Sequence, residues 1–205
     1  IEIFEKPELD FSSNMAEGDD ILGDAYEYLM RNFATESGKS KGQFYTPAEV
    51  SRIMAKVIAI NKSKSQSETV YDPTCGSGSL LLKAAAEAPH GITIYGQEND
   101  NATRALAVMN MWLHGNPASE IVQGNTLAAP EFKDDTTGKL KTFDFAVANP
   151  PFSNKNWMNG FLPASDIYER FEGYDSLPPK KNGDYAFLLH LIKSLESKGK
   201  GAIVM

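Results

Sequence analysis

The sequence lacks several features that would narrow its function at once. It has one cysteine, Cys75, so it cannot form an internal disulfide, and a solitary thiol fits the reducing cytoplasm. Its three histidines (His90, His114 and His190) are scattered at no spacing typical of metal ligands, so no metal site is expected. No apolar run approaches the roughly 20 residues that span a bilayer, and no basic-then-apolar signal opens the chain. A cytoplasmic protein with no membrane partner is therefore expected.

The chain also lacks an excess of positive charge. It carries 27 acidic and 20 basic side chains, which give a formal net charge of −7. Neutralisation of phosphates supplies most of the non-specific affinity for nucleic acid, so this chain is not expected to bind DNA strongly by itself. A nucleic-acid function would place much of the positive charge on a partner or on a missing part. A missing part is expected, because the chain starts at Ile1 and stops at Met205, inside a predicted strand.

What the sequence does contain is a regular alternation of strands and helices, over a length of 205 residues that suits one domain with a small lead-in. Two amphipathic helices are predicted first, over 19–33 and from Thr46 to about Ile60. Thr46 should cap the second helix, with Pro47 at its first position and Glu49 completing a capping box. Five strands follow, with three helices among them: strands over 69–72, 92–98, 120–124, 143–149 and 201–205, and helices over 79–88, 100–115 and 184–197.

Apolar strands that alternate with helices predict a doubly wound, mostly parallel α/β sheet, here ending after its fifth strand. Ligands of such sheets bind at the carboxyl ends of the strands, beside the point where the strand order reverses. Four polar residues end or follow the first four strands, and they should line this edge together: Asp72, Glu98, Asn125 and Asn149.

The Gly-rich turn "DPTCGSGS" (72–79) follows the first strand. It lacks the Lys-Ser/Thr ending of a P-loop and the dinucleotide fingerprint G-x-G-x-x-G, so its ligand is not expected to carry phosphate there. Gly76 and Gly78 let the backbone approach a ligand closely, and Asp72 suits an ammonium group. Glu98 stands where a carboxylate commonly binds both hydroxyls of a ribose. An amino acid joined to a nucleoside without phosphate describes S-adenosylmethionine (SAM).

The fourth strand runs directly into the turn "NPPF" (149–152). A strand followed by a rigid turn would explain this arrangement. The functional alternative is that the Asn149 side-chain oxygen and the Pro150 carbonyl accept the two N–H groups of an exocyclic amine. The amine's lone pair would then point toward the methyl group of the sulfonium, and transfer would depend mainly on positioning. Phe152 would stack on the base, which has to be flipped out of a duplex first.

Together, "GQFYTP" (42–47), "DPTCGSGS", Glu98, "GNTL" (124–127) and "NPPF" resemble the N6-adenine DNA methyltransferases, and most of all the methylation (M) subunits of type I restriction–modification systems (HsdM). The resemblance covers most of residues 20–205. It implies a SAM-dependent methyltransferase (Rossmann-like) fold, without the closing hairpin here, and transfer of the SAM methyl group to N6 of adenine in DNA. Residues 41–205 would be an incomplete catalytic domain, and residues 1–40 the C-terminal end of a helical N-terminal region.

The same resemblance implies partners and site residues. The partners are double-stranded DNA, a specificity (S) subunit, a restriction (R) subunit and a second M subunit, in the cytoplasm of a bacterium or archaeon. An S subunit that makes much of the DNA contact would account for the acidic charge. SAM is the implied methyl donor, with residues 43–47 folding over its methionine end, and no metal is expected. The catalytic residues would be Asn149, Pro150, Pro151 and Phe152, and the SAM-binding residues Gln43, Phe44, Tyr45, Thr46, Pro47, Asp72, Thr74, Gly76, Ser77, Gly78, Ser79, Glu98, Asn99, Asn125 and Thr126.

One position departs from the family pattern, and other residues have an ordinary explanation. Where many relatives have an acidic residue near the cofactor adenine, this chain has Asn125, whose amide accepts without charge assistance. Asp184 is expected to cap the helix that it begins, whereas the resemblance places it and Tyr185 near the target base. Packing of the long loop, rather than stacking on nucleic acid, is expected of Trp157 and Tyr168. A basic rim near "NPPF", whether simply solvated or DNA-binding, would comprise Lys155, Arg170, Lys180 and Lys181.

Other functions stay open. A solitary or type II-like adenine methyltransferase would share these motifs. Methyltransferases that act on protein glutamine or ribosomal RNA use a related turn, commonly with Tyr in the last position, so Phe152 and "GQFYTP" favour DNA. From a different class, the chain would be a catalytically silent SAM- or DNA-binding scaffold, against which the intact set of Asp72, Glu98 and Asn149 argues. SAM binding and single-turnover methylation separate these functions.

Overall fold

A computed structural model of the protein describes Tyr28 and residues 46–205. Within these residues, five strands form one sheet in the order β3-β2-β1-β4-β5, and all four neighbouring pairs are parallel. The order reverses between β1 and β4, so the switch point where such folds bind ligands lies there. The strands are β1 (Thr69–Asp72), β2 (Thr93–Glu98), β3 (Glu120–Gln123), β4 (Phe143–Ala148) and β5 (Leu195–Ile203).

Helices cover both faces of this sheet. Along β4, Phe145 and Val147 join the core beneath one helical layer, whereas Ala146 and Ala148 pack with Leu191 on the opposite face. A strand covered on both faces needs apolar residues at successive positions, which explains the composition of β4. The predicted doubly wound parallel α/β fold is confirmed. The first layer contains α1 (Ala48–Ile58), α2 (Ser79–Ala86) and α3 (Asn101–Leu113), and the second contains α4 (Asp184–Lys193).

The start of α1 differs from the prediction. Pro47 is its N-cap, and no side chain caps the helix there, so the predicted capping box of Thr46 and Glu49 is wrong. The hydroxyl of Thr46 instead accepts a hydrogen bond from the side chain of Asn149, at 3.2 Å. The Thr46 hydroxyl, which the local pattern predicted to cap the helix, therefore makes a tertiary contact with Asn149 instead.

The end of α4 also differs from the prediction, which continued the helix to residue 197 and began the last strand at 201. The helix ends at Lys193, and β5 begins at Leu195. Leu195 pairs with Phe143, but the next pair is Phe145 with Lys200, so β5 bulges between the two pairs. The bulge packs tightly, because a Cβ on Gly199 would lie 2.8 Å from the Phe143 carbonyl oxygen. Pairing with β4 has overridden the helical pattern of residues 194–197.

Several predictions concern residues outside those that the structure describes. They include the helix over 19–33, of which only Tyr28 is described, as a helical residue with an exposed side chain. They also include Gln43, Phe44 and Tyr45 and the boundary between residues 40 and 41, which stay predictions. Among the described residues, none of the helices has the length and apolar character needed to cross a bilayer.

Candidate active site

A cavity of about 360 Å³ opens at the carboxyl edge of the sheet, beside the switch point. Its volume falls in the range of small-molecule sites, about 300–1,000 Å³. Residues that follow β1, β2, β3 and β4 form its wall, and they include seven of the predicted site residues. The lining residues are Pro73, Thr74, Glu98, Asn99, Asp100, Thr103, Gly124, Asn125, Thr126, Asn149, Pro151, Asn154 and Phe187.

Asp72 is not among the lining residues. It is buried at the end of β1, where its Oδ1 accepts from the Thr74 amide at 2.8 Å and from the Thr74 hydroxyl at 3.4 Å. Burial raises the pKa of Asp72 to about 7; the Thr74 amide lowers it, and the charge of Glu98 adds to the rise. Near neutral pH, this carboxyl is therefore poised between its protonated and ionised forms.

Glu98 lies at the cavity and joins the Gly-rich turn to β2. Its Oε2 accepts from the Gly76 amide at 3.1 Å, and its Oε1 accepts from the Asp100 amide at 2.8 Å. Burial raises the pKa of Glu98, and these two backbone donors act in the opposite direction. Because each carboxylate oxygen has two acceptor positions, Glu98 keeps capacity for a bound hydroxyl group.

The rest of the Gly-rich turn does not line the cavity, and hydrogen bonds hold it to α3 and to Thr46, which precedes α1. The Ser77 carbonyl accepts from the Asn110 side chain of α3 at 3.0 Å, and the Ser79 hydroxyl accepts from the Thr46 amide at 3.4 Å. Gly78 has a φ of +80°, and a Cβ there would lie 2.7 Å from the Met111 side chain. Conformation favours glycine at this position, whereas the Met111 methyl is the far end of a flexible side chain that can move aside. Burial raises the pKa of the Cys75 thiol in the same turn, which disfavours the reactive thiolate.

The loop after β3 presents Asn125 and Thr126 to the cavity. Asn125 was expected to accept from an amino group, but its Oδ1 already accepts from the backbone amides of Leu127 at 3.1 Å and Ala128 at 3.3 Å. These bonds leave its amide nitrogen as the group able to donate to a ligand. The Thr126 hydroxyl donates to the Pro73 carbonyl and so ties this loop to the turn after β1.

The "NPPF" turn is fixed from two directions. The Asn149 side-chain nitrogen donates to the Thr46 hydroxyl, which orients the amide group. Beyond the turn, Ser153 has a φ of +51°, and its amide donates to Asp184 Oδ1 at 2.7 Å. Few residues other than glycine adopt that conformation, so the contact with Asp184 holds the turn in an uncommon shape. Phe152 is 44% exposed at the end of this turn.

The capping prediction for Asp184 is wrong. The N-cap of α4 is Gly183, and the Asp184 amide donates to the side chain of Asn182 at 2.9 Å. The carboxylate of Asp184 is instead bound to Ser153, so α4 starts against the "NPPF" turn. Tyr185, the next residue of α4, is 54% exposed.

The long loop between β4 and α4 is held by buried side chains. Trp157 is 1% exposed, and its Nε1 donates to the Pro179 carbonyl at 3.0 Å, so the prediction that it packs the loop onto the domain is confirmed.

The prediction that Arg170 belongs to a basic rim is wrong, because its side chain is 2% exposed and is bound to Asp166. Tyr168 is half-buried, with the Arg170 guanidinium 5.4 Å from its ring centre. The lysines of the predicted rim are exposed: Lys155, Lys180 and Lys181.

Sequence reasoning missed six of the lining residues. Two of them, Pro73 and Gly124, belong to motifs that were recognised, and Asp100 follows Glu98 closely enough to have been included. Asp100 also caps α3, because its Oδ1 accepts from the Thr103 amide at 2.9 Å. The other three had no local signal, because the packing of α3, α4 and the long loop brings them to the cavity: Thr103, Asn154 and Phe187.

The charge of the cavity wall is negative. Glu98 and Asp100 are the charged residues among the lining residues described, and neither lysine nor arginine is among them. Such a wall suits hydroxyl groups and cations and disfavours phosphate. Among the described residues, there is no group of three or more His, Cys, Asp or Glu side chains that could hold a metal ion.

The family model for N-6 DNA methylases matches residues 17–205. The chain belongs to this family. This chain is 37% identical over 195 residues to the type I restriction enzyme MpnII methylase subunit of Mycoplasma pneumoniae, covering 90% of this chain and 35% of the relative. It is 33% identical over 193 residues to the HindI methylase subunit of Haemophilus influenzae, covering 91% and 40%.

A solved structure agrees with these relatives. The methyltransferase subunit of a type I restriction–modification system from Streptococcus thermophilus superposes on this chain with a TM-score of 0.75 and 38% sequence identity. The match covers 92% of this chain and 39% of the other. The resemblance drawn from the motifs is therefore confirmed at the level of the family. The chain spans about a third of the length of the curated relatives that it matches.

Proposed function

We propose that this chain is the catalytic part of the modification subunit of a type I restriction–modification system, which transfers the methyl group of SAM to N6 of a flipped-out adenine in DNA. One observation carries the proposal. A single cavity joins Glu98 at the end of β2, Asn125 after β3, and Asn149 with Pro151 after β4. A carboxylate suited to a ribose and a turn suited to an amine therefore face the same space. The similarity to methylase subunits supports the same function.

The cavity fits SAM in both size and charge, since it is negative and SAM carries a sulfonium and an ammonium group. When bound, SAM supplies an electrophilic methyl group. Glu98 would accept from the ribose hydroxyls, Asn125 and Thr126 would meet the adenine, and Asp72 would act on the ammonium from behind Thr74. We propose the remaining predicted positions as the surrounding wall and turn: Gln43, Phe44, Tyr45, Thr46, Pro47, Gly76, Ser77, Gly78, Ser79 and Asn99.

On the acceptor side, the chain's part is to hold the target amine. The Asn149 side-chain oxygen and the Pro150 carbonyl would accept its two N–H groups, and neither Pro150 nor Pro151 has an N–H that could compete. The Thr46 hydroxyl orients Asn149, because it accepts from the amide nitrogen. Phe152 is exposed enough to stack on a base, and Tyr185 is exposed on the α4 turn bound to the same loop. No general base is needed beforehand, since the amine loses its proton after it becomes cationic.

The partners follow from the same proposal. With a net charge of −7, the chain would rely on an S subunit for much of the DNA contact. The exposed Lys155, Lys180 and Lys181 would add local contacts to phosphates. A second M subunit and an R subunit would complete the assembly, in the cytoplasm of a bacterium or archaeon.

Replacing Asn149 tests the acceptor role. In the full-length protein with its S subunit, Asn149→Ala should abolish single-turnover formation of N6-methyladenine, because the amine loses one of its two acceptors. The Kd for SAM should stay within about twofold of wild type, since the substitution removes an interaction made with the base. The exposed Asn159→Ala, in the same loop, is the matched control and should leave both quantities unchanged. Lost SAM binding with normal transfer at saturating SAM would contradict the role.

A further inference from the structure

A buried guanidinium from the long loop holds the loop after β3 from behind. Arg170 makes a two-point contact with Asp166, through Nε to Oδ2 at 2.9 Å and Nη2 to Oδ1 at 2.7 Å. The guanidinium also donates to main-chain carbonyls of the "GNTL" segment. Nη2 donates to the Leu127 oxygen at 2.7 Å, and Nη1 donates to the Thr126 oxygen at 3.3 Å. One guanidinium therefore binds a carboxylate and two main-chain carbonyls beside the cavity.

These carbonyls belong to the segment that forms the cavity wall. Gly124, Asn125 and Thr126 line the cavity, and the Thr126 hydroxyl donates to the Pro73 carbonyl on the next strand end. The Leu127 side chain is buried in a cluster that includes Trp157 of the long loop. Several contacts thus set the position of the wall, and Arg170 contributes the hydrogen bonds to the Thr126 and Leu127 carbonyls.

The groups around Arg170 leave the guanidinium in one orientation. Asp166 is almost fully buried; burial alone would raise its pKa, but the hydrogen bonds and charge of Arg170 hold the pKa below its ordinary value. His190 Nδ1 lies 3.3 Å from Arg170 Nη1, and burial together with the guanidinium charge lowers the pKa of His190 to about 3. A neutral His190 accepts at Nδ1, while its Nε2 lies 3.1 Å from the Tyr71 hydroxyl. Asp166 and His190 therefore hold the guanidinium in the orientation in which it donates to the Thr126 and Leu127 carbonyls.

We infer that Arg170 is a positioning residue for the SAM site, acting through the carbonyls of Thr126 and Leu127, so that the loop between β4 and α4 contributes to cofactor affinity as well as to the acceptor side. The inference rests on the proposed function, since it takes SAM as the ligand of the cavity. It also explains why an arginine is present, because a planar fork can bind a carboxylate and two carbonyls at once. The single ammonium group of a lysine cannot do so in that geometry.

Two variants separate positioning from folding. Arg170→Lys keeps a positive charge opposite Asp166 and removes the planar set of guanidinium N–H donors. The double variant Asp166→Leu with Arg170→Met removes both charges together, which avoids leaving an unpaired buried ion and often preserves stability. Arg104→Lys is the matched control, because Arg104 also donates to a main-chain carbonyl, that of Ile121 in β3, at 2.8 Å.

The experiment is calorimetric titration of the full-length proteins with SAM and, separately, with adenosine. Both Arg170 variants should bind SAM about tenfold more weakly, the loss expected for a charge-assisted hydrogen bond. Adenosine should lose affinity by the same factor, because the loop faces the nucleoside end. With DNA and the S subunit, KM for SAM should rise while kcat at saturating SAM is retained. The unliganded double variant should keep its melting temperature, and Arg104→Lys should bind SAM as the wild type does.

Folded Arg170 variants with wild-type affinity for SAM would overturn the inference and leave the proposed function standing. Unchanged adenosine affinity together with weakened SAM binding would also overturn it, because the loss would then lie at the methionine end. A full-length wild-type protein that fails to bind SAM would overturn the proposed function, and this inference with it.

Discussion

At the scale of single residues, one hydrogen bond joins two motifs that are 103 positions apart in the chain, between the Asn149 amide nitrogen and the Thr46 hydroxyl. An asparagine amide can turn by half a rotation and exchange its donor and acceptor ends. A hydroxyl can donate as well as accept, so this contact fixes the position of the amide, and in the structure the nitrogen faces Thr46. In the proposed function, the oxygen of Asn149 accepts from the target amine.

Replacing Thr46 should therefore affect transfer rather than folding. Thr46→Val keeps the shape and loses the acceptor, and it should lower kcat for DNA methylation by about tenfold, the cost of one lost hydrogen bond at a positioned group. Thr46→Ser retains the hydroxyl and should keep most of the activity. Steady-state kinetics at saturating SAM and DNA measure the effect. Equal activity of the valine and serine variants would mean that Thr46 does not orient Asn149.

Asp72 makes stability depend on pH in a predictable direction. Its pKa is about 7 in the folded protein against an ordinary value of 3.8, so between these values the folded state holds a proton that the unfolded state has lost. The contribution of Asp72 to the free energy of unfolding therefore falls as pH rises from about 4 to about 7, and it remains at its lower value above pH 7. The stability of Asp72→Asn relative to wild type should rise across this window, by up to about 4 kcal/mol.

Urea unfolding of wild type and Asp72→Asn at several values between pH 4 and pH 8 measures this difference. The exposed Asp135→Asn is the control and should follow the wild type throughout. A difference between Asp72→Asn and wild type that is the same at every pH would contradict the buried, proton-binding state of Asp72.

Also at the residue scale, the sequence predicts those cavity residues whose position follows from the topology of the sheet alone. Glu98, Asn125 and Asn149 follow strands of a parallel sheet, so their meeting at one edge needs no detailed packing. Arg170 shows where such reasoning fails. Its only local signal is Asp166, four residues earlier, because the Thr126 and Leu127 carbonyls that it binds are 44 and 43 positions away in the chain.

At the scale of elements, strands buried between two helical layers were predicted well, and boundaries set by distant contacts were not. The bounds of β1 were predicted without error, because a short apolar run between polar segments has few alternatives. The end of α4 was missed because residues 194–197 continue a helical pattern while β5 pairs with Phe143. The start of α1 was missed because the hydroxyl of Thr46 bonds to Asn149.

The long loop between β4 and α4 shares a hydrophobic cluster with α4, and Trp157 is a buried member of that cluster. The indole packs edge-on against Phe161 and Phe171, at ring distances of 5.9 and 6.0 Å, and donates to the Pro179 carbonyl. Trp157→Ala should lower the free energy of unfolding by about 3–5 kcal/mol, through lost burial and the cavity left behind. The exposed Leu162→Ala, in the same loop, should change it by no more than about 0.5 kcal/mol.

Urea unfolding measures both variants, and hydrogen exchange shows where the change lies. The loss of protection should be greatest over residues 153–183, which the indole holds to α4. A Trp157→Ala protein as stable as Leu162→Ala would mean that the loop does not depend on this contact.

At the scale of the whole molecule, the acidic charge and the family membership both fit the proposal that a partner makes much of the DNA contact. This acidic chain belongs to the N-6 DNA methylase family and matches about a third of the length of type I methylase subunits. Its cavity wall is negative, and neither lysine nor arginine is among the lining residues that the structure describes. The proposed function therefore assigns the methyl transfer to this chain and much of the DNA binding to the S subunit. The net charge by itself predicts only that much of the positive charge for DNA lies on a partner or on another part of the protein, whereas the S subunit is implied by the family resemblance.

The most direct test of the central claim is to incubate the full-length protein with duplex DNA and methyl-labelled SAM, alone and with the S subunit encoded beside it. N6-methyladenine should form in the DNA only when the S subunit is present, and Asn149→Ala should prevent its formation. Label in protein or RNA, or no label in DNA despite tight SAM binding, would contradict the proposed transfer to adenine.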